Sequence, residues 1–280
     1  MFVTKDDIVS GLRELGIKTG DELMVHSSLK SFGRVEGGAD AVIDALLEVV
    51  TENGIVSMPA FSDCTDGGSA RAYDRVNTPP ESWIGIIPET FRKRKGVLRS
   101  DHPTHSITAS GLDAKAFLSQ TDIYDCFAED GPWNRLREGG GKLLFIGKTM
   151  GSNTFLHACE AWYNNYLEET IGIVATPEGE KFVRVTNYPS GCRGGWYKLY
   201  EDAEYFKILR SRGIFSKVEV GASTLMVCNA HDVAATMKEI FKSDPHILLH
   251  KSGCRDCARM RGKNKPKHYS PLPLPHSEIL

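Results

Sequence analysis

KLLFIGKTMGSNTFLHACEAWYNNY, residues 142–166, is the stretch whose reading decides the fold. Leu143-Leu144-Phe145-Ile146 is an unbroken apolar run closed by Gly147, the pattern of a strand buried on both faces in a parallel sheet. A glycine-bearing turn follows, in which Ser152 or Asn153 can cap a helix with its side-chain oxygen, so a helix is predicted from near Thr154. On that helix Phe155, Cys159, Trp162 and Tyr166 fall on one apolar stripe, whereas His157, Glu160 and Asn164 fall on the opposite face. A carboxylate one turn from an imidazole can hold it in one tautomer and stabilise its protonated form, as a general base requires. A loop and helix start after a parallel strand is also where open α/β sheets place their ligands.

Moving outward toward the N-terminus, Ile55-Val56-Ser57-Met58 reads as a second strand, and Glu22-Leu23-Met24-Val25-His26 as a third that runs into Ser27-Ser28-Leu29-Lys30. The helix between these two strands carries Val42, Ala45, Leu46 and Val49 on its apolar side, and strand, helix, strand in this order implies a right-handed parallel crossover. The fold class is α/β. Ahead of it, Thr4 with Asp7 reads as a cap for a first helix that ends at Gly16. The segment from Pro59 to Pro80 has no clear period, and its acids Asp63, Asp66 and Asp74 suit a cationic substrate or a solvated loop. The second dense polar cluster is Arg99-Ser100-Asp101-His102-Pro103-Thr104-His105-Ser106, where His102-Pro103 imposes an extended backbone.

Toward the C-terminus, Lys181 to Thr186 alternates like a half-exposed strand, and a turn-rich loop spans Asn187 to Trp196. A helix near Asp202 to Arg212, strands near Lys217 to Val220 and Leu225 to Cys228, and a helix from Ala230 to Phe241 follow. With neither repeat nor linker before Lys263, residues 1–262 read as a single domain, with room for a subdomain after about residue 165, and residues 263–280 as an extended Pro/Lys-rich arm. The net charge of -2 gives no reason to expect a nucleic-acid or membrane partner. Neither a signal peptide nor a spanning segment is legible, so a cytoplasmic monomer or homodimer is expected. Seven scattered cysteines suit free thiols better than a disulfide framework. Cys254 and Cys257 form C-x-x-C after His250, and with Cys192 they make a candidate structural zinc site.

The clusters MVHSSLKSFG, VSMPAFS, RSDHPTHSITASG, GPWNRL and GSNTFLHACE, in that order, together with DPHILLHKSGCRDC, resemble the antibiotic N-acetyltransferase family, best known for aminoglycoside 3-N-acetyltransferases. The resemblance implies an α/β/α sandwich distinct from the common acetyltransferase superfamily, acetyl-CoA as donor and an amine as acceptor. It implies His157 as general base with Glu160 in support, and a CoA groove lined by His26, Ser27, Ser28, Leu29, Ser100, His102 and Ser106. Two departures stand out: NYPSGCRGGW lacks the acids that aminoglycoside-active relatives tend to carry there, and Gly131 replaces a frequent serine. The competing readings are a metal-dependent hydrolase using His26, His102, His105 and His157, and a non-catalytic CoA-binding protein of the same fold.

Overall fold

The computed structural model describes residues 2–164, 168–187, 204–249, 253–255 and 257–258. The expectations placed on Tyr166, on residues 188–196 with Cys192, on His250 and on the 263–280 arm lie outside these.

The three apolar runs become the centre of the sheet. Strands β1 (Glu22–Ser27), β2 (Ile55–Pro59) and β5 (Lys142–Ile146) are parallel, with β1 in the middle. Their flanks are antiparallel: β4 (Ile107–Gly111) and β3 (Leu98–Arg99) extend one side, and β9 (Ser223–Asn229) and β8 (Phe215–Val220) the other. The seven-stranded order is therefore β3-β4-β2-β1-β5-β9-β8. Strand β4 carries no legible sequence signal, because ITASG has too few apolar positions to show a period.

Alternation along the strands divides the core in two. Leu23, Val25, Val56, Met58, Leu144 and Ile146 face α1 (Lys5–Glu14), α2 (Gly38–Val50) and α3 (Ile86–Arg92). Met24, Leu143, Phe145 and Met226 face α4 (Ala114–Leu118), α5 (Pro132–Glu138), α6 (Phe155–Asn164), α7 (Glu204–Ser211) and α8 (Ala230–Ser243). The outcome is helices, sheet, helices. Thr4 and Asp7 form the reciprocal capping box expected for α1. A separate antiparallel ribbon, β6 (Glu168–Thr176) with β7 (Gly179–Asn187), stands outside the main sheet, and the chain then returns to that sheet through β8 and β9. Bridges from Thr65 to Gly172 and from Tyr73 to Val174 tie the long 59–80 loop to this ribbon, which gives an aperiodic segment a fixed course.

Candidate active site

The carboxyl ends of β1 and β5 lie side by side, with Ser27 opposite Ile146, and the segments leaving them build the site. Gly147 turns the chain at φ +57°, and a Cβ there would run into Ser31, so only glycine fits both demands. After the turn, buried Asn153, one of the two capping candidates with Ser152, accepts the backbone N–H of Phe155 at 3.1 Å and starts α6. His157 thus sits in the first turn of α6. Its Nδ1 lies 2.7 Å from Oε2 of Glu160, an N–H donating to a carboxylate.

The polar face of α6 is not a solvated one. Glu160 is only 2% exposed, and burial pushes its carboxyl well above the usual range. A carboxylate in that setting accepts the Nδ1–H, leaves the lone pair of Nε2 facing away from it, and stabilises the imidazolium once Nε2 takes up a proton. The same charge, after burial, raises the Cys159 thiol and the Tyr205 hydroxyl, which leaves Cys159 a packing group rather than a thiolate nucleophile. Tyr205 reaches this core from α7, and among the described residues its buried hydroxyl has no hydrogen-bond partner.

His26 pairs with Phe145 in register and stacks on its ring at 5.3 Å, so its side chain lies on the α6 side of the sheet. Burial, and then the charge of Lys148, lowers it to about 3, and the ring is neutral. Among the described residues its Nε2 and the hydroxyl of Ser27 are buried without partners. Buried polar atoms of this kind at a strand end fit a polar ligand. Ser28 donates its N–H to Ile146, and Leu29 opens the turn to Phe32. The sequence reading missed Trp83 nearby, 55% exposed and packed on Phe61 at 6.3 Å; a lone tryptophan in a loop carries no periodic signal.

The 99–106 cluster is bonded largely to itself. His102 donates Nε2–H to the Tyr124 carbonyl and accepts the N–H groups of Thr104 and His105 at Nδ1. Burial lowers it to about 4, while the bond to Tyr124 works the other way, so it stays neutral and shapes its loop. Ser100 accepts the N–H of Ile107, and Ser106 joins Arg99 to the Ala60 carbonyl. Ser100 and His102 line a cavity at the sheet edge that includes no residue of β1 or α6.

The three acids do not share one task. Asp74 accepts the N–H groups of Val76 and Asn77 and the Asn77 amide, which hold its carboxyl below the ordinary range and lock a turn. Asp63 accepts the hydroxyl of Thr65, and Asp66 is exposed on the outer course of the loop. Among the described residues no three His, Cys, Asp or Glu side chains are grouped to hold a metal, which removes support from the histidine-based hydrolase reading. Cys257 is buried and packs with Cys254 and Leu249.

The family model for aminoglycoside 3-N-acetyltransferase matches residues 24–242. The SPbeta prophage-derived aminoglycoside N(3')-acetyltransferase-like protein YokD of Bacillus subtilis strain 168 is 36% identical across 56% of this chain and 64% of its own. Aminoglycoside N(3)-acetyltransferase VII of Streptomyces paromomycinus is 33% identical across 57% and 60%. In both, the match spans less than two thirds of the relative's length. The YokD crystal structure covers 88% of this chain and 95% of its own, with a TM-score of 0.78 at 25% identity. AAC-IIIb in binary complex with CoASH gives 0.75 over 87% and 97%, at 23% identity, and so shares the fold. With the model spanning most of the sheet and both helical layers, the chain belongs to the aminoglycoside 3-N-acetyltransferase family.

Proposed function

We propose that the protein transfers an acetyl group from acetyl-CoA to an amine of an aminoglycoside or a related antibiotic or metabolite, with His157 as general base. The observation that carries this reading is the His157–Glu160 pair at the carboxyl edge of the sheet in a chain of this family. The amine attacks the thioester carbonyl and loses a proton to Nε2 of His157, the nitrogen opposite the one bonded to Glu160. The carbon–sulfur bond then breaks, and the proton passes to the departing sulfur, giving an amide and CoA thiol. Glu160 stabilises the imidazolium that exists between the two transfers. A neutral His26, Ser27, Ser28 and Leu29 receive the co-substrate at the end of β1, where the orphaned polar atoms lie and where hydroxyls and loop amides can bind phosphate without a basic patch. Trp83 offers an aromatic wall for it. Ser100, His102 and Ser106 support the groove through the loop they bind together.

Relatives named for aminoglycosides, including the Streptomyces paromomycinus enzyme, support the acceptor class. The acid-free stretch NYPSGCRGGW argues for an acceptor with fewer cationic amines than a typical aminoglycoside, because each desolvated ammonium requires a carboxylate. Of the three loop acids, Asp63 and Asp66 are the ones whose carboxylates are open to such a substrate, while Asp74 is committed to its turn. The measurement is release of CoA thiol from acetyl-CoA across a panel of aminoglycosides and simpler amines. Turnover with at least one acceptor is expected. Binding of acetyl-CoA with no turnover across the panel would assign the protein to a non-catalytic role, and no binding would overturn the proposal.

A further inference from the structure

We propose that the cavity at the β3–β4 edge is a second ligand site, built for an organic monoanion with an apolar body, an aromatic or aliphatic carboxylate or sulfonate. The cavity has a volume of about 600 Å³, ample for a small organic ligand. Its walls are mostly apolar, from Val97, Leu98, Ile107, Leu118, Ile123 and Pro132. At the rim Val76, Leu98 and Ile123 are 70%, 41% and 40% exposed, so large apolar side chains of three separate segments face water around one opening.

The charges choose the ligand. Arg75, Arg92, Arg99 and Lys115 line the cavity against two carboxylates, Asp101 and Asp125. Arg75 is paired with Asp101, and Arg92 with Glu89 through two bonds. Asp125 is occupied by the N–H of Phe127 and the hydroxyl of Thr186. Arg99 is different: it is 7% exposed, its guanidinium lies over the Tyr73 ring at 5.0 Å, and among the described residues it bonds neutral acceptors alone, the Ser106 hydroxyl and the carbonyls of Ala60, Thr78 and Arg75. A buried cation without a counter-anion is costly, and burial lowers its proton affinity. Lys115 is exposed and lines the cavity, and among the described residues it has no ion pair. A single anionic group between these two cations completes the charge balance while the apolar body covers the rim. A polyphosphate does not suit the cavity, since four of the five Arg99 donors are already bonded, which leaves one guanidinium N–H and the Lys115 ammonium for a single anionic group. The site is distinct from the proposed catalytic pair, because His157, Glu160 and β1 are not among its lining residues, while Ser100 and His102 belong both to its wall and to the loop that supports the co-substrate groove, which is why acetyl-CoA is one arm of the test.

The test uses the full chain and 8-anilinonaphthalene-1-sulfonate, whose fluorescence rises in an apolar site, with decanoate as competitor. One saturable site displaced by decanoate is expected. The exposed substitutions Ile123→Glu and Lys115→Glu should each weaken it by about tenfold or more, with unchanged melting temperature. Saturating acetyl-CoA should leave the signal in place. Displacement by acetyl-CoA would overturn the proposal by making the cavity part of the co-substrate groove. A titration insensitive to both substitutions, or no saturable binding, would overturn it as well.

Discussion

Replacing His26 by Phe should uncouple much of the protein's stability from acid. Burial, and secondarily Lys148, lowers this imidazole to about 3 in the folded chain, whereas in the unfolded chain it titrates near 6.5. A base depressed in this way costs nothing above its unfolded value. As the pH falls below it, the unfolded chain takes up a proton that the folded chain refuses, so stability is lost from about pH 6.5 down to about pH 3. Near pH 4.5, two units below the unfolded value, the loss from this group is about 2.7 kcal/mol. Phe keeps a ring on Phe145 and abandons no hydrogen bond at Nε2, which has none among the described residues. Its steric cost is the same at every pH and cancels when the two conditions are compared. His102 and Glu160 also titrate anomalously, but they are present in both proteins and cancel too. Urea unfolding of wild type and His26→Phe, near pH 7 and near pH 4.5, reads the difference directly. The gap in unfolding free energy should move in favour of the variant by about 2.7 kcal/mol on acidification. Parallel pH profiles would refute the reasoning and mean that His26 is solvated or bonded in the folded protein.

His157→Ala should lower turnover by roughly a hundred- to ten-thousand-fold while acetyl-CoA affinity stays near its original value, and Glu160→Gln should cost less; near-normal turnover of His157→Ala in the thiol-release assay would move the base elsewhere. Asp74→Ala should lose about 1–2 kcal/mol of stability by chemical denaturation, because two backbone N–H groups and the Asn77 amide lose their acceptor, and leave the KM for the amine unchanged. A raised KM at unaltered stability would return Asp74 to the substrate. If Cys254 and Cys257 hold zinc with Cys192, protein purified without a metal-affinity tag contains about one zinc per chain, and Cys254→Ser melts early. Sub-stoichiometric zinc with unchanged melting leaves those thiols as the packing groups seen around Leu249.

The sequence by itself determined what is local. Runs of apolar residues placed β1, β2 and β5, the capping groups of Thr4 and Asn153 placed two helix starts, and a three-residue spacing put His157 beside Glu160, since each follows from periodicity or reach along one segment. Tertiary structure alone decided what depends on partners far along the chain. Leu143 opposes Cys228 and Val56 opposes Ser110 in antiparallel pairs, and nothing in ITASG or in KLLFI encodes which strand lies beside it. The burial of Glu160 depends on a core to which α7 and α8 contribute from more than forty residues downstream, so the acidity of its carboxyl is a property of the packed protein. The same holds for the loop acids and for Arg99: a carboxylate committed to a turn and a guanidinium buried among carbonyls are indistinguishable, as letters, from solvated charges. Charge energetics depend on the medium around the group, and that medium is assembled only when distant segments meet.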